Sequence, residues 1–193
     1  MKIVLASKSG VRKKILEDNN IDCEIVVSNI DEDQAKESLL DAGADPLTIS
    51  KNLAELKSIK VSKSKADKLV LGADSVVSLN NTLINKPKSR EEAFKILCTL
   101  NDSKHYLISS VCISKNGSMV WNYSEKSELV MKKHSEKKLK DYLKKIKTAT
   151  LLAYGVYQVE AEGLDLFKSI KGDINSIMGL PIKQIQEYLK LQK

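Results

Sequence analysis

Apolar positions recur along this chain with two periods, and the switches between them lay out its elements. Residues 3–6, Ile-Val-Leu-Ala, form a short apolar run with β-branched content, which predicts a buried strand. A small polar turn at 7–10, Ser-Lys-Ser-Gly, follows; Val11, Ile15 and Leu16 then recur at helical spacing until Asn19-Asn20. The pattern predicts a second strand at 23–28, a polar mixed stretch from 34 to the turn signal Asp45-Pro46, and a helix from about Ser50 to Lys60 with Leu53 and Leu56 inward.

The run 68–79, Lys-Leu-Val-Leu-Gly-Ala-Asp-Ser-Val-Val-Ser-Leu, reads as a central strand of an α/β sheet. Asn80-Asn81 marks a two-residue hairpin returning through Leu83-Ile84, since Asn tolerates positive φ. Ser89-Arg-Glu-Glu92 is a capping box opening a helix through Phe94, Ile96, Leu97 and Leu100. Strands dominate 104–131: Tyr106 to Ile113, Met119 to Tyr123 and Glu128 to Met131 read as an antiparallel meander with a turn at Lys115-Asn116-Gly117. A helix over 135–147 carries Leu139, Tyr142, Leu143 and Ile146 on one face, and a strand is predicted at 164–170. Pro181 stands at the first turn of a final helix bearing Ile182, Ile185 and Leu189. Strands and helices mix throughout, with no linker or internal repeat, so the expectation is one α/β domain over 1–193.

Composition narrows this little. The chain is 42% hydrophobic and 30% charged, and its short N-terminal apolar run suits neither a signal peptide nor a membrane span, so a cytoplasmic protein is expected. The net charge of +7 comes largely from scattered lysines, such as Lys137, Lys138, Lys140, Lys144, Lys145 and Lys147, which read as a solvated face. Aromatic residues are only 5% and do not interleave with the basic ones, which counts against a nucleic-acid surface. Cys23, Cys98 and Cys112 have no paired or metal-binding spacing and read as small buried apolar residues. His105 reads as a structural hydrogen-bonding residue, and Trp121 as core or interface.

The chemistry sits elsewhere. A strand, tight loop and helix at 3–16 bring unpaired N–H groups and a positive helix end to one point, with Arg12 in the first turn; a phosphate suits that site. Asp74 is a lone carboxylate in a buried strand, beside Gly72 and Ala73, which let a ligand approach the backbone. It must be paired, protonated or cation-bound, and reads as functional. Asp31-Glu32-Asp33 fits a solvent-facing loop and also fits ligands for a hard cation. Lys57 follows Leu53 by four residues and flanks the apolar face of its helix; a solvated helix edge is the plainer reading, a cleft position the other. Lys86, extended before Pro87, lies in a strand-to-helix loop.

Taken in order, these segments resemble the Maf family of nucleoside triphosphate pyrophosphatases. LASKSGVRKKIL, IDE at 30–32, NLAELK, LGADSVV, NKP, HYLISSV, GVYQVEAEG, LFKSIKGD and GLP follow its motifs over nearly the whole chain. The resemblance implies an elongated, bilobed, mixed-sheet fold of the inosine-triphosphatase type with a central cleft, and a homodimer. It implies hydrolysis of noncanonical or modified nucleoside triphosphates to monophosphate and pyrophosphate with a divalent metal such as Mg, Mn or Co. It assigns phosphate to Ser7, Ser9 and Arg12, added charge to Lys57 and Lys86, and metal and water to Glu32 and Asp74; Asp74 fits both a general base and a metal ligand, and the expectation taken is base, with Glu32 as ligand. Base choice would fall to Val11, Ser75 and Glu160, a mixture of the patterns found in the UTP-type and 7-methyl-GTP-type branches. Gly10 and Asn101-Asp102 stand where the family usually has proline and a serine-glycine pair. A catalytically weak, nucleic-acid-binding regulator linked to septum formation is the competing expectation. A conventional P-loop is excluded, because residues 7–12 lack the G-x-x-x-x-G-K-[ST] spacing.

Overall fold

The computed structural model describes residues 2–159 and 162–192. In chain order the elements are β1 (Ile3–Leu5), α1 (Gly10–Asp18), β2 (Cys23–Ile25), α2 (Glu32–Asp41), α3 (Pro46–Ser62), β3 (Val70–Leu79), β4 (Thr82–Ile84) and α4 (Arg90–Leu100). They continue with β5 (Lys104–Lys115), β6 (Ser118–Met131), α5 (Glu136–Lys145), α6 (Thr148–Tyr154), a 3₁₀ turn at Glu162–Leu166, β7 (Phe167–Lys171), α7 (Ile174–Ile177) and α8 (Ile182–Lys190). One mixed sheet runs β2-β1-β3-β5-β6-β7, with β4 hydrogen-bonded to β3 outside that path. β1 is parallel to both β2 and β3, and the remaining pairs are antiparallel.

β3 is the strand on which everything else is hung. Along one edge β5 pairs with it from Val70 to Ser78. Along the other, β1 reaches only Leu71, and β4 takes over at Val77. The ladder is therefore open on that side between them, around Ala73, Asp74 and Ser75. The apolar packing divides at the same place. Ala73 belongs to a cluster with Ile3, Leu5, Leu16, Ile113, Leu180 and Ile185, whereas Val77 packs against a second cluster built from Leu97, Leu100, Leu129, Leu139, Leu151 and Phe167. Asp74 and Ser75 fall in the seam.

Alternation along β3 sends Gly72 and Asp74 to the face covered by α3, and Ala73 and Ser75 to the face under α1, α7 and α8. α3 lies very close to the sheet because its buried stripe is small, with Ser50, Ala54 and Ser58. A Cβ on Gly72 would overlap the Ala54 carbonyl oxygen and stand 2.7 Å from the Ser58 amide nitrogen, so only glycine permits this approach. Hydroxyls bridge the contact, Ser50 to Ser110 and Ser58 to Ser114.

Several expectations are corrected. The polar stretch after Asp31 is a helix, α2, and the segment 148–154 forms α6, a separate short helix. Strands expected at 119–123 and 128–131 are one continuous strand, β6, and the segment 164–166 is 3₁₀ turn before β7. Leu56 is exposed, and so is Cys98, while Cys23 is only half-buried. The Asn80-Asn81 hairpin forms with both residues at positive φ, 50° and 61°. Ser89 caps α4 by accepting from the Glu92 amide, but Glu92 returns to the Lys88 amide instead of that of Ser89. Asp102 adopts φ 54°, and its neighbour Asn101 clasps the backbone of His134 through two hydrogen bonds of 2.9 Å. His105 is buried and lies 3.0 Å from the Tyr157 hydroxyl; burial lowers its pKa to about 4. Trp121 is half-buried and stacks against Tyr123 and Tyr188. Among the described residues no helix is long and apolar enough to cross a membrane.

Candidate active site

The site assembles at the open edge of β3. Asp74, 6% exposed, has its Oδ1 2.8 Å from the Lys57 Nζ on α3. Lys57, 5% exposed, also donates to Glu32 Oε2 at 2.9 Å. The solvated-edge reading of Lys57 is thereby overturned: the small stripe of α3 draws the helix onto Gly72, and a lysine beside that stripe has nowhere to go but under β3. The acidic cluster divides: Asp31 and Asp33 are exposed, as the solvent-facing reading has it, while half-buried Glu32 turns inward on a helix and not a loop. Asp31 caps α2 through the Gln34 amide, and Glu32, in the first turn of that helix, reaches the lysine. Burial pushes the Glu32 pKa up, but the charge and hydrogen bond of Lys57, with Lys36 and Lys86 nearby, outweigh it and hold the carboxylate below its ordinary value.

Asp74 Oδ2 is buried and has no hydrogen-bond partner among the described residues. A carboxylate oxygen left this way carries unused acceptor capacity, which a cation, a water or a substrate proton would satisfy. Glu32 and Asp74 together fit a hard divalent cation of the Mg type, which takes one or two carboxylates and completes its shell with water and phosphate. Among the described residues no cluster of three or more His, Cys, Asp or Glu exists that would bind such an ion unaided.

Arg12 lies on the other face of the same gap. Its Nη1 donates to Ala73 O at 3.0 Å and to Ser7 Oγ at 3.3 Å, its Nη2 to Ser75 Oγ at 3.2 Å and its Nε to Gly179 O at 3.0 Å. The guanidinium thus satisfies a β3 carbonyl just beyond the point where β1 ends. Burial lowers its pKa, opposed by the charges of Asp74 and Glu32. Ser9 caps α1 by accepting from the Arg12 amide, and Ser9 N donates to Ser7 Oγ, so the loop 7–10 is closed on itself. The first-turn amides of Gly10 and Val11 have no intrahelical acceptor and stand at the positive end of α1.

Lys86 follows β4 and donates to the carbonyl of Ala153, in α6, at 2.8 Å. Its ammonium reaches solvent but stands among protein walls. Burial and the Arg12 charge depress its pKa, against the raising effect of Asp74 and Glu32. A groove of about 410 Å³ lined by Asp45, Leu47, Lys51, Asn81 and Lys126 lies apart, and none of these candidate residues lines it.

The family model for Maf-like protein matches residues 2–192. The chain belongs to the Maf-like family. This Maf-like protein is 56% identical over 191 residues to a "Nucleoside triphosphate pyrophosphatase" of Pelagibacter ubique (strain HTCC1062), covering 99% of this chain and 98% of that one. It is 35% identical over 190 residues to one of the same name from Ruegeria sp. (strain TM1040), covering 98% and 96%. Among solved structures it is similar to a HAM1 protein from Coxiella burnetii, with a TM-score of 0.46 and 16% identity over 68% of this chain and 73% of that one.

Of the residues singled out by sequence, the Maf-like fold gathers Ser7, Ser9, Arg12, Glu32, Lys57, Asp74, Ser75 and Lys86 around the β3 gap. Val11 packs against the apolar cluster that includes Leu16 and Leu180, and the Ser75 hydroxyl accepts from Arg12 and shares a hydrogen bond with Ser109. Glu160 lies outside the described residues. Sequence reasoning missed Gly179, Ser109, Ser176 and Lys36. The GLP motif was the one available signal for Gly179, whose φ of 104° marks a turn that other residues resist.

Proposed function

We propose that this chain hydrolyses nucleoside triphosphates with noncanonical or modified bases to the monophosphate and pyrophosphate. The observation that carries the reading is Asp74, with one oxygen fixed by a buried lysine and the other desolvated and without a partner among the described residues. The relatives' shared name, at high identity over almost the full length, supports it. Fixed by Lys57, Asp74 presents Oδ2 as the acceptor for the proton of a water attacking the α-phosphorus. Lys57 lies between the two carboxylates, and its charge and hydrogen bond outweigh burial to hold Glu32 below its ordinary pKa. A divalent cation held by Glu32 and Asp74, when bound, would acidify water and neutralise phosphate oxygens. Lys86 and the α1 end would stabilise charge on nonbridging and leaving oxygens, with Arg12 behind them. In this reading the chain is one unit of two lobes, a homodimer, serving the cytoplasmic nucleotide pool.

Glu160 bears on base choice. A carboxylate accepts hydrogen bonds and does not donate, so it favours the N–H edge of a guanine and, further, a cationic methylated base. The test is pyrophosphate release from a panel of triphosphates with Mg, Mn or Co. We expect pyrophosphate, with kcat/KM for 7-methyl-GTP above that for UTP. Orthophosphate in its place, or salt-sensitive nucleic-acid binding without any release, would overturn the pyrophosphatase reading. The reverse base order would remove only Glu160.

A further inference from the structure

Arg12 has five N–H donors, and the chain itself engages one on Nε, two on Nη1 and one on Nη2. At most one N–H, on Nη2, is left for a ligand. Such an arginine cannot offer a phosphate the two-pronged fork that usually recommends the residue. It acts first as a brace, and what it braces can be traced atom by atom.

Two of the braced partners belong to the segment after β7. Gly179 O accepts directly from Nε. Ser176 O is reached through two hydroxyls: Ser109, fully buried on β5, donates to Ser176 O at 2.6 Å. Since the Ser109 proton is committed there, the 2.9 Å contact between Ser75 and Ser109 must be a donation from Ser75. Ser75 in turn accepts from Arg12 Nη2. The chain of donors runs one way, from Arg12 through Ser75 and Ser109 to the Ser176 carbonyl. The far end is itself anchored: Ser176 Oγ donates to Glu125 Oε2 at 2.9 Å, and Asp173, which caps α7, is paired with Lys183 at 2.7 Å. A side chain at Gly179 would crowd this network, with its Cβ 3.1 Å from Ser75 Oγ and 3.4 Å from Arg12 Nε, at a φ that disfavours one.

We propose that Ser109 and the turn 176–179 are positioning residues for Arg12, which through Ser7 sets the loop 7–10 that faces the triphosphate; this rests on the function proposed above. Removing the Ser109 hydroxyl leaves the Ser75 proton without its acceptor. Ser75 can then rotate and present that proton towards Arg12, and the guanidinium loses its fixed plane.

The experiment compares Ser109→Ala with Ser114→Ala, a buried serine bonded to Ser58 and outside this chain of donors. Two readouts are taken: solvent exchange of the Arg12 Nε–H by NMR, assigned by its disappearance in Arg12→Lys, and KM and kcat for pyrophosphate release. Losing one hydrogen bond of this kind should speed the exchange and raise KM by about five- to tenfold, with kcat within about twofold. Ser114→Ala should move neither, even at equal thermal stability. In the Arg12→Lys background, Ser109→Ala should add nothing to KM, because both act through one guanidinium. Should Ser109→Ala fail to fold, Ser75→Ala cuts the same chain at a half-buried link and is expected to speed the exchange. Unchanged exchange in a folded variant, an equal KM rise in Ser114→Ala, or additivity with Arg12→Lys would overturn the proposal. Exchange needs no substrate, so a wild type that releases no pyrophosphate sinks the hydrolase reading separately from the brace.

Discussion

At the scale of single residues, the two oxygens of Asp74 have different lives. Oδ1 is committed to Lys57, and Oδ2 has no partner among the described residues. Replacing the carboxylate with an amide keeps the shape and keeps an oxygen to accept from Lys57, which also retains Glu32 at 2.9 Å. Asp74→Asn should therefore fold with near wild-type thermal stability and lose on the order of 10³-fold in kcat, since a base contributes two to four decades. Circular dichroism melts and a coupled pyrophosphate assay check the two halves; activity within tenfold of wild type would take Asp74 out of the base role. The residue was legible in sequence because a lone acid in a strand of Val, Leu and Ala violates the usual economy of burial. Lys57 was legible only through the family resemblance of its NLAELK segment, because a lysine beside a helix's apolar stripe looks the same whether the stripe meets a wall or water. What decided its place was the size of its neighbours, and Gly72 on another element.

That contact is the organising fact at the scale of elements. α3 sits low on the sheet only because Gly72 has no Cβ and Ala54 and Ser58 are small. Gly72→Ala should lift α3, parting Lys57 from Asp74, and cost about 3 kcal/mol through overpacking against backbone. For a chain of this length that is a fall in Tm on the order of 10 °C. The variant should lose kcat as well, whereas a surface variant of equal Tm should not; a Tm within 2 °C of wild type, roughly, would mean that the helix can shift at no cost. The main strands and the amphipathic helices were legible from period alone. α2 and α6 were not: α2 buries no residue fully, and α6 only Leu151, so neither shows the stripe by which a helix is recognised. The pattern breaks β6 in two at the polar run Ser124-Glu125-Lys126-Ser127, where pairing with β5, not apolar content, carries the strand through.

Across the whole molecule, the two larger apolar clusters meet at a line of charge. Arg12, Lys36, Lys57 and Lys86 confront Glu32 and Asp74, an excess of positive charge facing the place a polyanionic triphosphate would occupy. Lys86 is the member that ties the side of α6 to the side of β3, through its hydrogen bond to Ala153. Burial, then the charge of Arg12, lowers its pKa from the ordinary 10.5, with Lys36 adding to the fall and Asp74 and Glu32 opposing it. The sign follows directly. The protonated form attracts phosphate, so triphosphate capture is favoured while pH is below the depressed pKa and weakens as pH rises through it. Because kcat/KM reports the free enzyme, its alkaline limb should begin to fall below the usual lysine range. Bound triphosphate adds negative charge beside the ammonium and raises its pKa, so kcat should hold to a higher pH than kcat/KM does. Lys86→Arg, which stays charged throughout, should move the alkaline limb of kcat/KM upward, and Lys86→Met should flatten it at a lower plateau. A limb that stays in place in both variants would assign the titration to another group and leave Lys86 as a tether between α6 and the β4 loop.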